Sequence, residues 1–183
     1  MTLDSVMALL PTASAAVVIF WCVGAYNRLK RVRQSLPKLF MQFDTHHRLR
    51  HEVLGRWGEA LRVLMVEPEA LDSLDAALQQ SQAACEHARV RPTAPQALAS
   101  LRLADEVLAE SRNRLLAELA GIEGSRFDES AQGLLDELAA SDASVEFARR
   151  QFNEAVQAYN AALHQFPTVL LARPFGFRPV GSV

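Results

Sequence analysis

The stretch LAASDASVEFARRQFNEAVQAYNAALHQF, residues 138–166, decides the fold. Leu138, Val145, Phe152, Tyr159 and Phe166 recur in it every seven residues. A strict seven-residue repeat keeps one apolar stripe facing a neighbouring helix and implies left-handed, coiled-coil-like packing. The same period returns upstream. Leu29, Leu36, Phe43, Arg50, Trp57 and Leu64 form one column, and Leu101, Leu108, Leu115 and Ile122 another. Between them Leu71, Leu74, Leu78 and Cys85 make a shorter stripe.

Alanine, leucine, arginine and glutamate dominate the chain, and no run of alternating β-branched residues reads as a strand. The expected fold is therefore all-α. Glu67-Pro68-Glu69 opens a helix, with proline in the first turn and acids complementing the dipole. Arg91-Pro92-Thr93-Ala94-Pro95 is a turn, Gly121 to Ser125 ends a helix, and Pro167 ends the last. The boundaries give helices over about 26–65, 68–90, 95–122 and 129–166. Short connections make neighbours antiparallel, so residues 27–166 read as one four-helix bundle. Pro37 falls inside the first helix and predicts a kink or a break there. Helices one and four, roughly 60 and 57 Å long, outrun two and three, roughly 35 and 42 Å. Leu29, Val32 and Leu36 against Phe152, Val156 and Tyr159 should then leave an apolar flank open at one end.

Ahead of the bundle, Val6 to Tyr26 holds no charged residue, and Arg28, Lys30, Arg31 and Arg33 follow at once. Some 21 helical residues reach about 30 Å, the thickness of a bilayer's hydrocarbon core. Residues 1–26 therefore read as a short leader and a transmembrane helix over about 6–26. Trp21 and Tyr26 suit its interfacial belt, and the positive-inside rule puts the N-terminus outside and the bundle in the cytoplasm. A cleaved signal peptide fits less well, because Met-Thr-Leu-Asp-Ser supplies no basic start. Residues 167–183 return to the same end. Their aromatic and aliphatic side chains with Arg173 and Arg178 fit either an interfacial foot on lipid or a tail folded onto the bundle's base.

Chemistry is sparse. No phosphate-binding glycine loop, dinucleotide fingerprint, nucleophile elbow or Cys-x-x-Cys occurs, so no catalytic residue and no cofactor is expected. Cys22 and Cys85 lie in unlike settings and do not form a disulfide framework. Residues 28–62 carry nine Lys/Arg against Asp44, Glu52 and Glu59, but the basic stretch adjoins the apolar run and lacks a nucleic-acid motif. Its partner is expected to be membrane lipid. His46, His47 and His51 are the nearest approach to a metal site, yet two imidazoles one turn apart do not fill a tetrahedral shell, so no metal is expected. Arg50, on a stripe position, predicts a polar layer in the bundle, with Glu110 or an acid of helix four as its partner. Asn153 and Asn160, seven apart, should hydrogen-bond across the bundle or to a partner.

Several stretches together resemble LemA family proteins. Tyr26-Asn27-Arg28-Leu29 follows a membrane run, and Leu36 through Asp44 keeps the family's spacing. Ala148-Arg149-Arg150-Gln151-Phe152-Asn153, Val156-Gln157-Ala158-Tyr159-Asn160, Phe166-Pro167 and Phe175-Gly176-Phe177 resemble its closing pattern. Leu49 to Trp57 departs from the family's usual stretch, which marks a diverged member. The resemblance implies a bacterial single-pass protein of the cytoplasmic membrane, N-terminus outside, without established enzymatic activity. The expected function is a partner-binding or oligomeric scaffold at the cytoplasmic membrane face, self-association included. A lipid-surface module is the alternative, and a metal-dependent module on His46, His47 and His51 comes last.

Overall fold

A computed structural model of the chain describes the backbone of residues 3–63, 68–120, 129–172 and 174–183, and within it the side chains of residues 14–63, 68–119, 133–170, 172 and 174–183. Among the described residues every regular element is helical: α1 (Leu3–Val63), α2 (Pro68–Val90), α3 (Pro95–Ala120), α4 (Glu129–His164) and α5 (Thr168–Ala172).

The sequence predicts a boundary near residue 26 and a kink or break at Pro37. α1 runs through both positions without a break, as one helix of 61 residues, roughly 90 Å long. Pro37 removes one backbone donor and crowds the carbonyl four residues back, at about 3 kcal/mol. Leu36 and Phe40, on either side of it, are fully buried, so packing holds the helix through the defect. Residues 6–13 of the expected 6–26 span lie outside the described side chains. Among the described residues no helix is long and apolar enough to cross a membrane. Toward its start α1 carries Val17, Val18, Ile19, Phe20, Trp21 and Val23 at 49–77 % exposure.

Within the bundle α1 packs along α4 and α2 along α3, and α1 with α2 joins the two pairs. The heptad columns point inward: Leu29, Leu36, Phe43 and Trp57, then Leu101, Leu108 and Leu115, then Leu138, Val145, Phe152 and Tyr159 are all buried. Leu64 and Ile122 lie outside the described residues. Phe166, the last of its column, falls beyond the end of α4 and is exposed. The core forms two clusters. One gathers Leu36, Phe40, Phe43, Leu98, Phe152 and Tyr159, and the other Leu54, Trp57, Leu74, Leu115 and Leu138.

Contrary to the length argument, the flank of Leu29, Leu36, Phe152, Val156 and Tyr159 is not open but buried, with Val32 half-buried against it. The C-terminal segment closes it by adding Phe177, Val180 and Val183 to the same cluster. Gly176, at φ +71°, makes the turn that allows this, a conformation that favours glycine. The backbones of α3 and α4 stand apart among the described residues. The segment enters the gap: a Cβ on Gly181 would lie 3.1 Å from Pro95 at the start of α3.

Phe152→Ala removes the ring at the centre of this packing and should cost about 3–5 kcal/mol. Urea unfolding of the two proteins measures it, and a loss under about 1 kcal/mol contradicts the described core.

Candidate functional site

Between the two apolar clusters lies a polar layer built on one carboxylate. Asp105 of α3 is buried. Its Oδ1 accepts a hydrogen bond from His47 Nε2–H of α1 at 2.9 Å and from the Ser81 hydroxyl of α2 at 2.6 Å. Its Oδ2 accepts from Arg149 Nη2 of α4 at 2.9 Å. Arg50 Nη2 of α1 lies 3.2 Å from Oδ1 as an ion pair. Four helices thus converge on one side chain. The partner of Arg50 is not Glu110 or an acid of α4, as the sequence predicts. Asp105 already sits at the bundle's centre, one turn along the stripe from Leu101.

The electrostatics follow from burial and charge together. Burial pushes the Asp105 carboxyl up. The His47 hydrogen bond, the charges of His47 and Arg50, and the Ser81 hydroxyl outweigh it and hold the group well below the usual carboxylate range. His51 stacks on His47 with ring centroids 4.2 Å apart, and its Nδ1–H donates to the His47 carbonyl at 2.8 Å. Its Nε2 is buried without a hydrogen-bond partner. Burial, then the neighbouring His47, bring its pKa down to about 4.

One turn toward the N-terminus, Asp44 is buried and accepts from the Cys85 thiol at 3.2 Å and from Arg89 Nη2 at 2.8 Å. Burial and this bond push the Cys85 thiol upward, away from the reactive thiolate. Among the described residues no three His, Cys, Asp or Glu side chains are grouped to hold a metal ion. The His46, His47 and His51 cluster does not make one, because His47 Nε2 is spent on Asp105 and His51 Nδ1 on a backbone carbonyl.

The two asparagines do a different job. Asn153 donates to the Val183 carbonyl at 2.8 Å and accepts its N–H at 3.0 Å. Asn160 repeats both bonds with Val180, again at 2.8 and 3.0 Å. Seven helical residues rise about 10.5 Å and three extended residues span about 10 Å, so the spacings match. Tyr159 adds a bond from its hydroxyl to the Arg178 carbonyl at 3.1 Å.

The remaining predicted positions cluster at the far end of α1. Tyr26, half-buried, meets Phe175 at 5.1 Å and Phe177 at 5.7 Å between ring centroids. Arg33 lies over the Phe177 ring at 5.4 Å. Phe166 stands edge-on to Trp21 at 5.0 Å, and Pro167 is buried in the turn after α4. Asn27, Arg28, Lys30 and Arg31 are exposed. Sequence reasoning missed Asp105, Ser81 and Arg89. A signal existed for the first two: Asp105 falls in the core spacing Leu98, Leu101, Asp105, Leu108, and Ser81 in Leu74, Leu78, Ser81, Cys85.

Chemically the layer is occupied with itself. A cavity of about 380 Å³ opens beside it between α3 and α4. Arg50, Arg102, Arg112 and Arg149 line it together with an equal number of acids, Asp105, Glu106, Asp142 and Glu146.

Protonation should loosen the layer. A folded His51 takes its proton only near pH 4, whereas an unfolded histidine does so near 6.5. Its contribution is complete above pH 6.5, is lost as pH falls from 6.5 to 4, and changes no further below that. Asp105 adds a further loss below the ordinary carboxylate range. Unfolding free energy should fall by about 3 kcal/mol between pH 6.5 and 4. His51→Leu should flatten that part of the curve; a wild-type curve level across it contradicts the assignment.

A family model described as LemA family matches residues 75–182, more than half of the chain. The matched span runs from α2 into the C-terminal segment and includes Ser81, Asp105, Arg149, Asn153 and Asn160. No curated protein matches the chain.

Proposed function

Since the chain belongs to the LemA family, we propose that it is a non-enzymatic, membrane-anchored helical scaffold. In this reading the apolar start of α1 spans the cytoplasmic membrane with its N-terminus outside. The bundle then stands on the cytoplasmic face and binds a protein partner or further copies of itself.

The observation that carries the reading is the uncovered apolar end of the molecule. Val17 to Val23 project beyond the bundle, and Phe166, Leu170 and Phe175 are exposed at the same end. Arg28, Lys30, Arg31 and Arg33 follow directly along α1. Apolar surface ending in a collar of cations suits a helix leaving a bilayer toward its anionic face. Because α1 is one helix from Leu3 to Val63, an anchor at its start would hold the whole bundle at a set orientation. The non-enzymatic part is supported by the polar layer, where His47, Ser81 and Arg149 are engaged with Asp105. A lipid-surface role is the second reading, favoured by the aromatic residues Phe166 and Phe175 beside α1.

Full-length protein should sediment with membranes, resist carbonate extraction and dissolve in detergent. Protease added outside sealed cells should leave residues 27–183 whole. Protein in the soluble pool, or digestion of the bundle from outside, contradicts the anchored reading.

A further inference from the structure

A second cavity, of about 640 Å³, lies at the apolar end of the molecule between α1, the α2–α3 turn and the C-terminal segment. Its charged lining is Lys30, Arg33 and Arg91, and no carboxylate lines it. Among the described residues none of these cations has an acid within ion-pair distance, unlike Arg50 and Arg149 of the central layer, which share Asp105. Tyr26, Phe175 and Phe177 supply an aromatic wall. Tyr26 and Phe175 also line a smaller slot of about 190 Å³ with Cys22 and Val23, where no charged side chain enters among the described residues.

The two spaces meet at shared side chains and differ in chemistry. Along α1, Val23 and Tyr26 precede Lys30 and Arg33 by one to two turns, so the apolar slot lies toward the exposed apolar stretch and the cationic chamber toward the bundle. Arg91 arrives from the other side, on the turn between α2 and α3, held by its own N–H to the Ala88 carbonyl at 3.1 Å. Arginine offers a fork of donors suited to phosphate oxygens, and lysine a compact charge beside it. A molecule matching both spaces carries an anionic phosphate head and an apolar chain.

We propose that this paired cavity is a discrete site for one anionic phospholipid. Lys30, Arg33 and Arg91 take the phosphate, and the slot of Cys22, Val23, Tyr26 and Phe175 takes the start of an acyl chain. The site rests on the membrane-anchored reading and adds a specific headgroup to it. It also gives the α2–α3 turn a contact with the bilayer surface and makes the docked C-terminal segment part of the site through Phe175 and Phe177.

Full-length protein in nonionic detergent micelles, given phosphatidylglycerol or phosphatidylcholine and weighed by native mass spectrometry, tests it. One phosphatidylglycerol should be retained, at least about tenfold over phosphatidylcholine. Arg33→Gln with Arg91→Gln should lower retention about tenfold, and Arg33→Lys with Arg91→Lys should keep most of it. Arg28→Gln with Arg31→Gln removes the same charge outside the cavity and should leave retention within about twofold of wild type. Equal losses in the two glutamine pairs mean diffuse attraction and overturn the site. So does equal retention of phosphatidylcholine, or full displacement by an equal concentration of inorganic phosphate, which marks a site for phosphate alone. Glutamine variants that still fractionate with membranes separate failure of this site from failure of the anchor.

Discussion

One buried carboxylate governs this bundle. Asp105 sits between two apolar clusters and takes His47 and Arg50 from α1, Ser81 from α2 and Arg149 from α4. A lone carboxylate at that depth would cost several kcal/mol, and four partners from three other helices offset the cost. The layer's main consequence is register. Leucine and alanine stripes tolerate a slide by one heptad, about 10.5 Å, because apolar contacts are non-directional. Asp105 does not: the same slide would leave it uncompensated and strand Arg149. Polar residues on inward positions of all four helices, at one height, therefore select a single alignment from several of similar apolar burial.

That alignment creates the second feature. With α1 against α4 and α2 against α3, the fourth side of the bundle stays open at the backbone. The C-terminal segment fills one end of this opening, clamped by Asn153 and Asn160 through both hydrogen-bonding groups of Val183 and Val180. Asparagine is poor inside a helix, since its amide competes with the backbone. Here it serves a segment that belongs to no helix or sheet. Docking the segment also brings Phe175 and Phe177 against Tyr26, so the central register reaches the apolar end of α1 through packed rings.

The helical content and the inward columns were legible because they depend on period alone. Leu29, Leu36 and Phe43, or Val145, Phe152 and Tyr159, need only seven-residue spacing to share a face. Less legible was which acid would meet Arg50. Glu110 and Asp105 are both carboxylates of α3, and only Asp105 keeps the inward spacing of Leu98, Leu101 and Leu108. The path of residues 177–183 was unreadable for another reason. The segment has no period of its own, and its berth is a gap that exists only once α3 and α4 are placed. Pro37 does not break α1, because the burial of Leu36 and Phe40 offsets the cost of a proline. Of the reactive groups, His47 and Cys85 are buried and His51 is half-buried, and burial pushes the Cys85 thiol up and the His51 imidazole down.

The architecture has a plain physical logic. A long single helix transmits position, a polar layer prevents sliding, and the docked segment couples the bundle to its apolar end. The claim under all of it is that the Asp105 contacts act together across the helices. A double-mutant cycle on His47→Ala and Asp105→Ala, read by urea unfolding at neutral pH, addresses it most directly. The account predicts a coupling of about 1.5 kcal/mol or more between the two positions. Losses that add to within about 0.3 kcal/mol would contradict it.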